Sequence, residues 1–333
     1  MRLKPIDILK VLVSLALIAY LLWRVDLGAV SEAMRGASVP LWCLALLIYF
    51  GAIAMSTAKW GVLLRAQGAD VPYLDLLAYS FTGLFFGNFL PTNVGGDLVR
   101  GYDLARHVRR VEDAAISVLV DRLVGLTAFI TSAGAMAAAA VYVWGRQDLI
   151  GLATVVWLAT AAALGGLAVL FSQRLRGLVG RLFRIGPLAR LEPIYLHLSD
   201  ALQSYREHPG ALVRAYLMGL LVIVISNVVN WLVALAVNVD IPLRYVFLFN
   251  PMLAFAPLIV PSLGGLGVNQ GAYDLLYSNL GGVATPAGAL TVSLLMQLII
   301  YVSSIPGGLL WLRKRRRAQS SELRHGGTET QRG

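Results

Sequence analysis

PTNVGGDLVRGYDLAR at residues 91–106 and PSLGGLGVNQGAYDLLY at residues 261–277 decide how this chain is read. Each is a proline and glycine break set into an apolar stretch. Each also carries Pro, two adjacent glycines and Tyr-Asp-Leu: Pro91, Gly95, Gly96, Tyr102, Asp103 and Leu104 in the first, Pro261, Gly264, Gly265, Tyr273, Asp274 and Leu275 in the second. Within a membrane, broken backbone is tolerated only where protein buries it or where it lines a cavity. A pair of such breaks in corresponding places therefore points to the substrate site of a transporter.

Outward from the breaks, the 333 residues are 58% hydrophobic and only 14% charged, with a mean hydropathy of +0.71; soluble chains are about 25% charged. Eight apolar segments recur, at about 7–24, 37–57, 76–93, 123–144, 149–173, 214–238, 245–262 and 286–312, mostly near the ~20 residues that cross hydrocarbon. Residues 123–144, 149–173 and 215–239 carry no charge, and from Tyr245 to Leu312 the only one is Asp274. The first run, Val11 to Trp23, is short, but Lys10 and Arg24 can snorkel and no small-residue cleavage site follows. It reads as a retained span and not a removed signal. Cys43, the single cysteine, can form no disulfide within one chain.

The net charge of +10 sits at Arg2, Lys4 and Lys10, between Arg174 and Arg214, and in the run Arg313, Lys314, Arg315, Arg316, Arg317. That is the placement of a positive-inside bias, and no nucleic-acid partner is expected. Eight full crossings from a cytoplasmic N-terminus would put Arg100, Arg106, Arg109, Arg110 and the arginines of 174–214 outside. If residues 73–96 dip in from the cytoplasm and 245–281 from the far side, every arginine-rich loop and both termini become cytoplasmic. The expected fold is thus an all-α polytopic integral membrane protein with six full spans plus two re-entrant broken hairpins, in which 37–144 and 214–312 form an inverted repeat. One membrane domain covers 1–312. Within it, an amphipathic stretch at about 174–208 suits either a helix on the anionic cytoplasmic leaflet or a plain connector between the two halves, and a basic, disordered tail follows over 313–333.

The polar residues near the breaks are candidates for binding. Asn88, Asn93, Asp97, Arg100, Asp103 and Arg106 cluster around Pro91, Gly95 and Gly96. There the glycines permit left-handed backbone and close ligand approach, a helix start favours anions, and the arginines can fork onto phosphate. Asp121 and Arg122 open the next apolar run, in VLVDRLVGL, where ionisable groups need a partner or a wet groove. On the second break, Gly264, Gly265, Gly267, Asn269 and Gln270 supply neutral polar groups beside Pro261. Asn227 and Asn230, neighbours on one helical face, suit either interhelical hydrogen bonds or a ligand. No Walker loop, HExxH or GxSxG occurs, and no cofactor or metal is expected. An aspartyl dyad of Asp97 and Asp274 is the enzymatic alternative, although Val94 stands where the first glycine of a Gly-x-Gly-Asp pattern belongs.

NFLPTNVGGDLVRGYDLAR, DRLVGL and PSLGGLGVNQGAYDLL, in that order, resemble the flippase-like membrane domain of lysylphosphatidylglycerol synthases and their stand-alone homologues, over most of residues 5–312. The resemblance implies a bacterial or archaeal cytoplasmic-membrane protein that moves a lipid or lipid-linked group between leaflets. It puts functional weight on Pro91, Gly95, Gly96, Asp97, Arg100, Asp121, Arg122, Pro261, Gly264, Gly265 and Gly267. The lipids it suggests are an anionic phospholipid, an aminoacylated lipid or a polyprenyl-phosphate-linked group. Asn269 and Gln270 stand where members often carry Arg-Glu, which weighs against a cationic aminoacyl lipid. No large soluble domain follows the last span, so synthesis of the aminoacylated lipid is not expected. A non-transporting partner of a separate lipid-modifying enzyme is the alternative role.

Overall fold

The computed structural model describes residues 27–89, 95–108, 111–171, 203–259 and 265–329. Among them every regular element is helical: α1 (Leu27–Arg35), α2 (Val39–Ala66), α3 (Tyr73–Phe89), α4 (Gly95–Ala105), α5 (Val111–Ala138), α6 (Ile150–Phe171), α7 (Gln203–Glu207), α8 (Pro209–Ala236), α9 (Leu243–Leu253), α10 (Ala256–Ile259), α11 (Val268–Tyr273) and α12 (Pro286–Glu329). One π turn, Ala139–Val143, extends α5 and another, Asp274–Leu280, extends α11.

Among the described residues, five helices are long and apolar enough to cross a membrane: Val39–Ala66, Val111–Val143, Gln147–Ala168, Pro209–Ala236 and Pro286–Arg313. At a rise of 1.5 Å per residue, a 28-residue helix reaches about 42 Å, more than the roughly 30 Å of hydrocarbon. The arms around the breaks are shorter. The 17 residues of α3 reach about 25 Å, and the 11 of α4 or α9 about 16 Å. The expected segment at 7–24, and all of 174–208 before Gln203, lie outside the described residues. α12 continues as helix to Glu329, where composition alone predicts an irregular tail.

Two boundaries differ from the apolar runs, for one reason. α2 runs on to Ala66 and α5 begins at Val111, so Lys59 lies within the first and Asp121 and Arg122 well inside the second. Hydropathy ends a run at a charge, whereas the helix continues because the charges find partners in the protein interior.

Glycine sets the closest approach between helices. A Cβ on Gly96 would overlap the Gly83 carbonyl oxygen and meet the Gly87 Cα at 3.1 Å, so α3 and α4 touch backbone to backbone. A Cβ on Gly307 would overlap the Phe81 carbonyl, and one on Gly308 would meet the Phe85 ring at 2.7 Å, which seats α12 on α3. Gly95 and Gly96 are helical, contrary to the left-handed backbone expected of them, and their use is in packing. Gly265 and Gly267 do have the positive φ angles, 78° and 79°, that a break requires.

One turn occurs twice. α2 ends with Ala69 N–H donating to the Leu64 carbonyl at 3.1 Å and α8 with Val239 N–H donating to the Ala234 carbonyl at 3.0 Å. The left-handed residue is Gly68 in one and Asn238 in the other. Asp-Val-Pro follows the first and Asp-Ile-Pro the second, with Val71 and Ile241 buried at matching places. The packing is reciprocal as well: α2 lies along α8, α3 lies against α12, and α9 lies against α5. Each hairpin thus packs on the final long helix of the other half.

The largest apolar core surrounds the second break. It includes Val246, Phe249, Tyr277, Val292 and Ile299, all fully buried. Arg146 closes one end of this region. It donates to the Leu280 carbonyl at 3.0 Å and the Gly281 carbonyl at 3.3 Å, pairs with Asp148 at 2.7 Å, and stacks 5.5 Å from the Tyr245 ring centroid. A guanidinium on the last carbonyls of a helix satisfies groups that have no partner within the helix.

Candidate functional site

Three helices each bring charge to one interior point. Asp97 lies in the first turn of α4 and Arg100 one turn later, an i, i+3 pair on one face. α5 contributes Asp121 and Arg122, and α2 contributes Lys59. The side chains alternate in sign. Lys59 Nζ lies 3.0 Å from Asp121 Oδ1, Arg100 Nη1 3.0 Å from Asp121 Oδ2, and Arg100 Nε 3.0 Å from Asp97 Oδ1. Arg122 Nε closes the series on Asp97 Oδ2. Lys59 and Asp121 are buried, at 6% and 4% exposure, and the Arg100 guanidinium also lies 4.9 Å from the Trp60 ring centroid.

Two properties of this ladder bear on chemistry. Three cations face two carboxylates, so one positive charge is left over. The hydrogen bonding is also incomplete: Arg100 Nε and Asp121 Oδ1 sit beside opposite charges without a well-directed hydrogen bond. A buried ion pair offsets its desolvation only when geometry and hydrogen bonds are both good. A network with a surplus cation is suited to an anion.

The ladder forms part of the wall of a cavity of about 480 Å³. Asp97, Arg100, Asp121 and Arg122 line it, with Asn88, Ser56, Thr57, Ser80 and Ser226 supplying neutral polar groups. Tyr49, Ile53, Leu84 and Val222 supply apolar wall. Such a volume, with charged and hydroxyl groups converging beside an apolar wall, is within the range of a small-ligand site.

The residues expected from the sequence separate into four sets. Asn88, Gly96, Asp97, Arg100, Asp121 and Arg122 do come together at this cavity. Asp103 and Arg106 do not; they line a second cavity with Tyr79 and His107. Gly265, Gly267, Asn269 and Gln270 contribute nothing to either cavity, although a site between the two breaks was expected. Gln270 instead accepts from the Gly267 N–H at 2.7 Å, and Asn269 packs on Gly265. Pro91, Asn93, Pro261 and Gly264 lie outside the described residues. Lys59 was missed, although a lysine in an apolar helix is itself a signal of a buried partner.

Around the second break the polar groups bind one another. Asn250 donates to Asn227 at 2.7 Å, and Asn230 donates to Asn250 at 3.2 Å and to the Tyr273 hydroxyl. Asn227 and Asn230 are therefore interhelical ties between α8 and the second hairpin. Asp274 accepts from Asn279 and does not line the Asp97 cavity, so no aspartyl dyad forms across it.

Comparison with known proteins agrees with this architecture. A model of the family described as the lysylphosphatidylglycerol synthase TM region matches residues 8–307. A UPF0104 membrane protein of Methanothermobacter thermautotrophicus is 24% identical over 302 residues, covering 85% of this chain and 88% of that one.

Proposed function

The chain belongs to the family of the lysylphosphatidylglycerol synthase transmembrane region, and on that premise we propose that it moves an anionic lipid headgroup between the leaflets of a cytoplasmic membrane. The buried ladder with one surplus cation, facing a cavity of about 480 Å³, carries this reading. Taking a phosphate out of water is the barrier to crossing, and fixed guanidinium and ammonium groups lower it by substituting for solvent. An arriving phosphate competes with Asp97 for Arg100 and Arg122, so the carboxylate holds the arginines in place until cargo displaces it. The hydroxyls of Ser56, Thr57, Ser80 and Ser226 complete a shell for glycerol or sugar oxygens, and the acyl chains stay in the bilayer.

In this reading α2, α5, α6, α8, α12 and the segment at 7–24 are six full spans. Residues 73–96 and 245–281 are two re-entrant hairpins, and both termini are cytoplasmic. The recurring turn and the reciprocal packing support an inverted repeat.

Leaflet exchange in proteoliposomes tests the proposal, using fluorescent phosphatidylglycerol and polyprenyl-phosphate probes. The wild type should exchange at least one of them, and Arg122→Gln or Asp97→Asn should slow exchange by about 10- to 100-fold, the loss of one or two charge-assisted contacts. A folded wild type that exchanges neither probe would overturn the reading in favour of a membrane partner for a separate lipid-modifying enzyme.

A further inference from the structure

A second cavity, of about 580 Å³, lies where the Tyr73 end of α3, the end of α4 and the Arg313 region of α12 meet. It shares no lining residue with the ladder cavity. Its wall carries both signs, with the carboxylates of Asp75 and Asp103 and the guanidiniums of Arg106 and Arg313. Asp103 is only 8% exposed. The Tyr79 hydroxyl pairs with His107 Nδ1 at 2.8 Å and lies within electrostatic reach of Asp75, Asp103 and Arg106.

This chamber continues into an apolar groove of about 330 Å³ through Ala78, Leu310 and Arg313, which line both. Leu74, Leu77, Phe81 and Leu309 line the rest of the groove, and Leu74 and Leu309 are well exposed. A charged chamber joined to an exposed apolar groove fits an amphipathic molecule. Trp311, on the chamber wall, is the residue type that sits at headgroup level.

The balance of charge selects among headgroups. A purely anionic headgroup would meet two carboxylates, and a purely cationic one would meet two guanidiniums. A zwitterion satisfies both: a primary ammonium offers three N–H donors to Asp75 and Asp103, and a phosphodiester accepts from Arg106 and Arg313. A quaternary ammonium has the charge without the donors. We infer that the chamber and its groove form a second lipid site, selective for a glycerophospholipid with a primary ammonium headgroup. A lipid held there wedges between the first hairpin and α12, the two elements that Gly307 brings into contact.

The test uses the full chain in uncharged detergent, titrated with phosphatidylethanolamine, phosphatidylcholine and phosphatidylglycerol, with bound lipid read by native mass spectrometry and stability by thermal unfolding. Phosphatidylethanolamine should bind about tenfold more tightly than either of the others, the worth of one charge-assisted contact. Asp75→Asn with Asp103→Asn should abolish that preference, and Arg313→Gln should weaken phosphatidylethanolamine and phosphatidylcholine alike. Equal binding of the three lipids by the wild type, or a preference that survives in the double variant, overturns the inference. Should the double variant fail to fold, Asp75→Asn alone and Leu310→Trp, which fills the junction, decide in the same way: full preference in both overturns it. Arg122→Gln should leave the preference unchanged, so loss of leaflet exchange through the ladder does not bear on this site.

Discussion

Where the first hairpin brings Asp97 and Arg100 against Lys59, Asp121 and Arg122, the second brings Asn250 and Tyr273 against Asn227 and Asn230. The two elements share a turn, a proline and a place in the fold, yet one is built from full charges beside a cavity and the other from amides within packed apolar side chains. Charge at membrane depth is costly and survives where it has work to do, whereas amide pairs bind helices at small cost. On the proposed function, the contrast puts cargo with the first half and anchorage with the second.

The sharpest way to break the contrast is through glycine. Gly96→Ala puts a methyl into the Gly83 carbonyl and should cost about 3 kcal/mol or more, since backbone cannot yield as side chains do. Gly271→Ala, with nothing within 4 Å of the added carbon, should be neutral or stabilise by about 0.5–1 kcal/mol. Monodisperse yield and melting temperature in detergent would show it. A Gly96→Ala protein that melts like the wild type would remove close backbone approach as the basis of the first hairpin.

Next in size is Lys59→Met, which leaves Asp121 with Arg100 alone and should destabilise by about 3–5 kcal/mol. Adding Asp121→Asn should restore part of that loss, and additive losses in chemical unfolding would show that the pair is not coupled. On the other hairpin, Asn250→Ala leaves Asn227 and Asn230 short of a partner and should cost about 1–3 kcal/mol. Its lipid exchange should match the wild type once reconstitution is equalised; loss of exchange there, with the fold retained, would erase the division between cargo half and anchor half. Smallest is Arg146→Gln, which uncaps the Leu280 and Gly281 carbonyls for about 1 kcal/mol, visible as a slight fall in melting temperature.

Much of the first half was legible. Asp97, Arg100, Asp121 and Arg122 stood out because ionisable groups are rare in such a chain, and they do share a cavity. Lys59 escaped because the apolar run was closed at residue 57, before the helix ended. Asp103 was grouped with Asp97 by nearness in sequence, but six residues turn a helix through about 600°, which leaves it roughly 120° round the axis. The second break carries glycines and a proline like those of the first, yet its described residues line neither cavity. What separates them is backbone angle, positive at Gly265 and Gly267 and helical at Gly95 and Gly96, and the residue letters do not carry it. That Asn227 and Asn230 were either ligands or ties could be decided only once Asn250 and Tyr273 were placed.

The seating of α3 on α12 also sets a schedule for the ribosome. Asn88 meets the Ile300 carbonyl across 212 residues of chain, so at roughly 5–20 residues per second the first hairpin waits about 10–40 s for the helix that covers it. During that interval Phe81, Phe85 and Asn88 have no permanent cover from α12. The nascent protein must therefore be sheltered by the insertion machinery, and truncations that end before residue 300 should be handed to membrane proteases as unfinished work.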